Sequence, residues 1–216
     1  MRLILIAALL ASAAPVAVHA HEAPASSAES KPVPKEELLK PPADAAHYVV
    51  VSEAGQHGSQ WRWQVPDGRT AYRWSQELRG WITEMDQVTS FAADGTVTAL
   101  TVRGVTMSGN AAEEYRVENG RAVWKTATDS GEAPARGWYI PAGGVGIAGA
   151  PMIEKLAVAG EAGIDFLPSG KGRMTFGQTL TITGPAGPKT VQLAFIRGIL
   201  PSPGPFNYSA LNNQAA

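Results

Sequence analysis

The sequence predicts a mainly all-β fold, an antiparallel meander closing into a curved sheet, an incomplete β-barrel or a sandwich, with one short helix near residues 151–160. Three observations predict it. Apolar and aromatic residues recur at every second position through much of the chain, the period of a half-buried strand. Gly 23 and Pro 16 supply frequent turns, favouring short strands over long helices. Turn dipeptides stand between the alternating runs, above all Asp94-Gly95 and Asn119-Gly120, which are strong hairpin signals.

Residues 1–20 read as an export signal. Arg2 gives the positive start, LILIAALLASAAPVAV the apolar stretch, and Val18-His19-Ala20 the small-residue end, with cleavage expected after Ala20. The apolar run is short for a membrane span and is interrupted by Pro15, so no span is expected once the signal is removed. The mature chain is expected outside the cytoplasm, periplasmic or extracellular. Residues 21–45 are rich in Pro, Ala, Ser and charge. They lack the bulky apolar groups needed to fold alone and are expected to form a flexible tether, with a loose turn at Glu36–Lys40.

The β domain is placed at 46–205. Tyr48-Val49-Val50-Val51 opens it. Trp61, Trp63 and Val65 then alternate with Arg62 and Gln64, and Pro66-Asp67-Gly68-Arg69 is the turn, with Pro presetting φ and Gly accepting positive φ. Tyr72 and Trp74 follow on one side of the return strand, so the rings are expected to face together across the hairpin. Further strands are WITEMDQVTSF, TVTALTVRG, AAEEYRV and RAVWKTA. Later, TLTIT and KTVQLAFI flank the turn GPAGP. Between these groups, PMIEKLAVAG has Met152, Leu156 and Val158 near helical spacing, with Pro151 at the first position, which predicts the helix. Residues 206–216 are expected to be a disordered tail.

Charge and composition exclude several functions. The net charge of −1, with 17% of residues charged, gives no electrostatic case for nucleic acid. Without cysteine there is no disulfide, thiol nucleophile or thiolate metal site. His19 and His21 have H-x-H spacing but straddle the expected cleavage site, and only His47 and His57 remain. No metal ligand set and no cofactor is expected in this chain.

Gly144-Val145-Gly146-Ile147-Ala148-Gly149 matches G-x-G-x-x-G. The βαβ setting that gives that motif force is missing, so a glycine loop is expected. Glu84 and Asp86 share one strand face, whereas Glu113 and Glu114 point to opposite faces. Both acidic pairs read as solvated surface. Ser169-Gly170-Lys171-Gly172-Arg173 lacks P-loop spacing and reads as a basic turn. No G-x-S-x-G elbow is present, and no catalytic residue is assigned.

The rings are the remaining candidates. Trp61, Trp63, Tyr72, Trp74 and Trp124 could line a core, or they could form a ligand or docking surface that stacks a sugar or holds a lipid tail. Alternation with charge favours the core. Trp81 could complete the same layer, and Arg62, Arg73, Arg79 and Lys125 form the expected outward face.

The run HYVVVSEAGQHGSQWRWQVPDGRTAYRWSQELRGWITEMDQVTSFAADGTVTALTVRG, with EEYRVENGRAVWKT and TVQLAFIRG further on, resembles the N-terminal β region of secreted bacterial metal-dependent amidohydrolases of the imidazolonepropionase-like branch. The likeness covers roughly residues 40–205. It implies a following (β/α)₈ barrel that binds a divalent metal such as zinc through His, Lys and Asp. Such a barrel, at about 250 residues, exceeds this whole chain, and no position here matches its ligands. The expectation is a non-catalytic accessory β domain of a secreted amidohydrolase-like hydrolase, whose partner is a catalytic barrel. A stand-alone periplasmic carrier, holding an apolar ligand among the five rings, is the alternative.

Overall fold

A computed structural model describes residues 31–52, 54–142, 150–168, 170–184, 187–198 and 208–212. The export signal, the histidine pair at 19 and 21 and the glycine motif at 144–149 lie outside them. Two sheets account for the mainly all-β fold that the sequence predicts. The strands of the first are β1 (Ala46–Ser52), β2 (Gly55–Gln64), β3 (Thr70–Leu78), β4 (Trp81–Phe91), β5 (Val97–Thr106), β6 (Gly109–Asn110), β7 (Glu113–Glu118), β8 (Arg121–Thr126) and β9 (Ser130–Pro134). They follow one another as an antiparallel meander, with short β6 paired only to β5. The second sheet has the order β10 (Trp138–Tyr139), β11 (Ile164–Leu167), β12 (Lys171–Gly184), β13 (Gly187–Arg197) and β14 (Tyr208–Asn212). Its β10–β11 pair is parallel and the others are antiparallel. One helix, α1 (Ala150–Ala159), precedes β11.

Turn chemistry sets the registers. Asn119 (φ 50°) and Gly120 (φ 74°) both take positive φ between the paired residues Glu118 and Arg121, the two-residue turn whose twist suits a hairpin. Arg79 and Gly80 repeat that geometry between Leu78 and Trp81. The β2–β3 connection differs. Val65 N–H donates to Arg69 O at 2.9 Å, so Pro66-Asp67-Gly68 is a three-residue loop, and Gly68 at φ 84° relieves it.

The core lies between the two sheets. Tyr72, Met85, Leu100, Val102, Tyr115 and Trp124 from the first sheet form one cluster with Trp138, Phe166, Met174, Ile196 and the α1 residues Met152 and Leu156. Every first-sheet member of that group points to one face by the register. Gly104, at φ 115°, stands opposite Met85 on this face, where a Cβ would lie 2.1 Å from Glu84 O. Only glycine lets β4 and β5 approach so closely.

Three expectations need correction. Val158 was grouped with Met152 and Leu156, yet it is 91% exposed. Two residues advance about 200° around a helix, so Val158 turns away from Leu156, and Ile153 and Ala157 flank the buried pair instead. Of the expected tail, the described residues Tyr208–Asn212 form β14, which lies antiparallel along β13. The backbone of an edge strand offers that pairing. Finally, the tether expected over 21–45 is ordered where it is described, and it lies across the first sheet.

Candidate functional site

The face of the first sheet turned away from the core carries charge in rows. Cross-strand pairing puts His47, Trp61, Arg73, Asp86 and Arg103 in one row across β1 to β5. The neighbouring row is Val49, Ser59, Ser75, Glu84 and Val105. Such rows follow from strand alternation, since opposed residues share a face. Glu84 and Asp86 therefore share a face, as the sequence implied. They are not solvated: Asp86 is 1% exposed and Glu84 is 9% exposed.

Residues 31–45 explain the burial. A 3₁₀ turn, Lys35–Glu37, sits over β4 and β5. Lys35 Nζ donates to Glu84 Oε1 at 2.5 Å. Leu38 is 4% exposed. The Leu39 N–H donates to Asp86 Oδ2 at 2.7 Å, and Arg103 Nη2 reaches Glu37 O at 3.4 Å. This segment is a strap, and the expectation of a flexible tether fails for it. Leu38 and Leu39 are the apolar pair that the composition of 21–45 as a whole conceals.

Beneath the strap each acid is matched by donors. Glu84 also accepts from Ser75 Oγ at 2.7 Å and from Arg73 Nη2. Arg73 turns its other terminal nitrogen to the carbonyls of Trp74 and Met85. Asp86 accepts from Arg103 Nε at 3.0 Å and Nη2 at 2.5 Å, a two-pronged charge-assisted contact. Burial alone raises the pKa of Glu84. The hydrogen bonds from Lys35, Ser75 and Arg73 together outweigh it and hold the carboxyl below its usual range. Arg73, expected on the outward face, is on that face but buried.

A third buried acid is Glu113 on β7. It accepts from Tyr139 Oη at 2.5 Å and from the Ala142 N–H at 3.2 Å. Tyr139 stacks on Tyr115 with ring centroids 4.0 Å apart. Burial, then the Glu113 charge, pushes the Tyr139 phenol far above its ordinary value. Glu114 is exposed, so the acids of this pair do point to opposite faces. Glu113 itself is not part of a solvated surface.

The five rings do not gather. Trp61 pairs with Arg73 and Trp63 with Ala71, whereas Tyr72 pairs with Arg62 and Trp74 with Gln60. Trp61 and Trp63 therefore share the strap face, and Tyr72 and Trp74 take the core face. The expectation that these rings meet across the hairpin is corrected by the three-residue loop, which pairs residues of equal parity. Trp124 joins the core side, buried, its indole N–H without a partner and its ring edge against Gly131. Trp61 stacks on His47 at 5.1 Å, and His47 Nε2 is 2.9 Å from Ser59 Oγ. That is a nucleophile–base distance, but among the described residues no carboxylate bonds the other ring nitrogen. Trp81 is 57% exposed and completes no buried layer.

Among the described residues two surface clefts stand out. One of about 420 Å³ is lined by Asp94, Lys155, Asp165 and Trp138 among others. Lys155 donates to Asp94 there at 2.9 Å. Two hydrogen bonds from Thr96 and that from Lys155 lower the Asp94 pKa to about 2, the Thr96 N–H contributing most. The other, about 280 Å³, lies between Lys31-Pro32 and the turns at Ser108–Asn110 and Ala127-Thr128. None of the five rings lines either cleft. Among the described residues no group of three His, Asp or Glu is placed to hold a metal, and no helix is long and apolar enough to cross a membrane. Comparison of the chain with protein-family models, with curated proteins and with solved structures returned no match.

Proposed function

We propose that this chain is a non-catalytic accessory β domain of a secreted amidohydrolase-like hydrolase and that it docks a catalytic barrel. The observation that carries the proposal is a set of large apolar side chains left exposed at one end of the first sheet. Trp81 and Ile82, at the β3–β4 turn, are 57% and 50% exposed, and Met107, one residue past β5, is 63% exposed. Val49, in the Glu84 row of the outer face, is also exposed, at 52%. Large apolar side chains left on a surface mark a binding face, and Trp81 suits an interface anchor. The buried acids Glu84, Asp86 and Glu113 all serve internal partners, which is the behaviour of a scaffold.

The carrier reading needs the five rings on one concave surface. Their division between two faces gives it less support, and the space between the sheets is filled by core side chains.

The test is to mix the purified chain with the metal-dependent hydrolase encoded in frame with it or beside it. Sedimentation analysis should detect a complex that Trp81→Asp weakens about tenfold or more, with the metal content of the hydrolase unchanged. A coding region with no such hydrolase in frame or adjacent contradicts the proposal. So does amide turnover, or stoichiometric zinc, in the purified chain alone.

A further inference from the structure

The strap meets the sheet as a bound peptide meets its receptor. Its only regular structure is the three-residue turn Lys35–Glu37, which has no capping side chain and is too short to hold its shape unaided. The sheet imposes the shape through four kinds of contact. Glu84 takes the Lys35 ammonium. Leu38 is buried, at 4% exposed. Asp86 accepts the Leu39 N–H, and Arg103 donates to the Glu37 carbonyl. Main-chain donor, main-chain acceptor, cation and apolar side chain are each read by a separate group. Prolines at 32, 34, 41 and 42 bracket the segment and restrict its free conformations, which lowers the entropy lost on seating.

The receptor side is built for an occupant. With the strap lifted, Glu84 keeps Ser75 and Arg73 but loses a cation, Asp86 loses a donor, and Leu38 and the surface that covered it meet water. Water replaces the lost donors, and returning a leucine to cover is the gain by which a vacant face favours a segment of the same chemistry.

We infer that the outer face of the first sheet is a recognition site for a short peptide of pattern Lys-x-x-Leu-Leu that takes one 3₁₀ turn and then extends, filled in cis by Lys35–Leu39. The site is built from Glu84, Asp86 and Arg103 rather than from Trp81, Ile82 or Met107, and its test is independent of any hydrolase. A trans peptide competes with the tethered strap, whose effective concentration is on the order of millimolar for a short linker.

The experiment uses the full chain with the strap unseated by Leu38→Asp, and a fluorophore-labelled synthetic peptide of residues 33–41. Anisotropy should show saturable binding to this variant about tenfold tighter than to the wild-type chain, whose own strap competes. A peptide carrying Leu38→Asp should bind neither protein. Adding Asp86→Asn to the unseated chain should weaken binding about tenfold. Leu39→Pro, which removes the N–H that Asp86 accepts together with the Leu39 side chain, is a second unseated chain should the first not fold; a cooperative melt establishes folding in each. Absence of saturable binding to a folded unseated chain overturns the inference. Equal binding to wild-type and unseated chains does the same.

Discussion

The two faces of the nine-stranded sheet solve one burial problem by opposite chemistry. On the inner face Met85, Leu100, Val102 and Tyr115 are buried against a second sheet and a helix. On the outer face Arg73, Glu84 and Asp86 are buried just as deeply, under a strap of a few residues. The inner face is mostly apolar, so most of its stabilisation scales with apolar area, with Glu113 and Tyr139 a paired polar exception. The outer face needs each donor and acceptor matched, because a buried charge without a partner is costly. A thick apolar layer tolerates approximate partners, whereas a thin polar one must be specific. That is why the outer face has the selectivity of a binding site.

The comparison can be broken or sharpened by substitution. Leu156→Ala in the inner core should cost about 2–5 kcal/mol, from lost transfer energy and the residual cavity, read by chemical denaturation. On the outer face Asp86→Asn should cost about 2–3 kcal/mol, because Arg103 and the Leu39 N–H both lose a charged acceptor. Leu38→Ala should cost about 1.5–3 kcal/mol, towards the lower end, because the freed strap regains conformational entropy. Lys35→Gln should be the smallest, under about 1 kcal/mol, because that side chain is 61% exposed and well screened. Should Lys35→Gln exceed Leu156→Ala, the contrast between the faces is wrong.

Acid separates the faces too. Glu84 and Asp94 both have depressed pKa values. Their contribution to stability is complete above the ordinary carboxylate range and is lost as pH falls through the folded values. For Asp94 that window runs from 3.8 down to about 2. Glu84 bonds the strap, whereas Asp94 bonds Lys155 of α1, so the strap should loosen as pH falls below the ordinary carboxylate range and through the lowered Glu84 value, followed by tryptophan fluorescence beside calorimetry.

What the sequence shows plainly is whatever depends on neighbouring residues. Alternation marked β2 to β5, Asn119-Gly120 marked a two-residue turn, and Met152 with Leu156 marked the helix. Quantities that depend on pairing were hidden. Trp61 and Tyr72 part company because Pro66-Asp67-Gly68 is three residues long between paired positions, which residue identity alone leaves open. Glu84 and Asp86 read as surface because their partners Arg73 and Arg103 lie on other strands and their cover is distant in sequence. The strap was masked by its prolines and charges. Its information is in two leucines, too few to register as an apolar segment.

The Leu39 amide is the most direct probe of the claim that the outer face is built around the strap. Native-state hydrogen exchange should find that amide protected in the wild-type chain and released in Asp86→Asn, with the Tyr115 and Trp124 amides of the β7–β8 pair unchanged. Exchange at the rate of an unstructured peptide in the wild-type chain would contradict the account, and residues 35–39 would then be a tether after all.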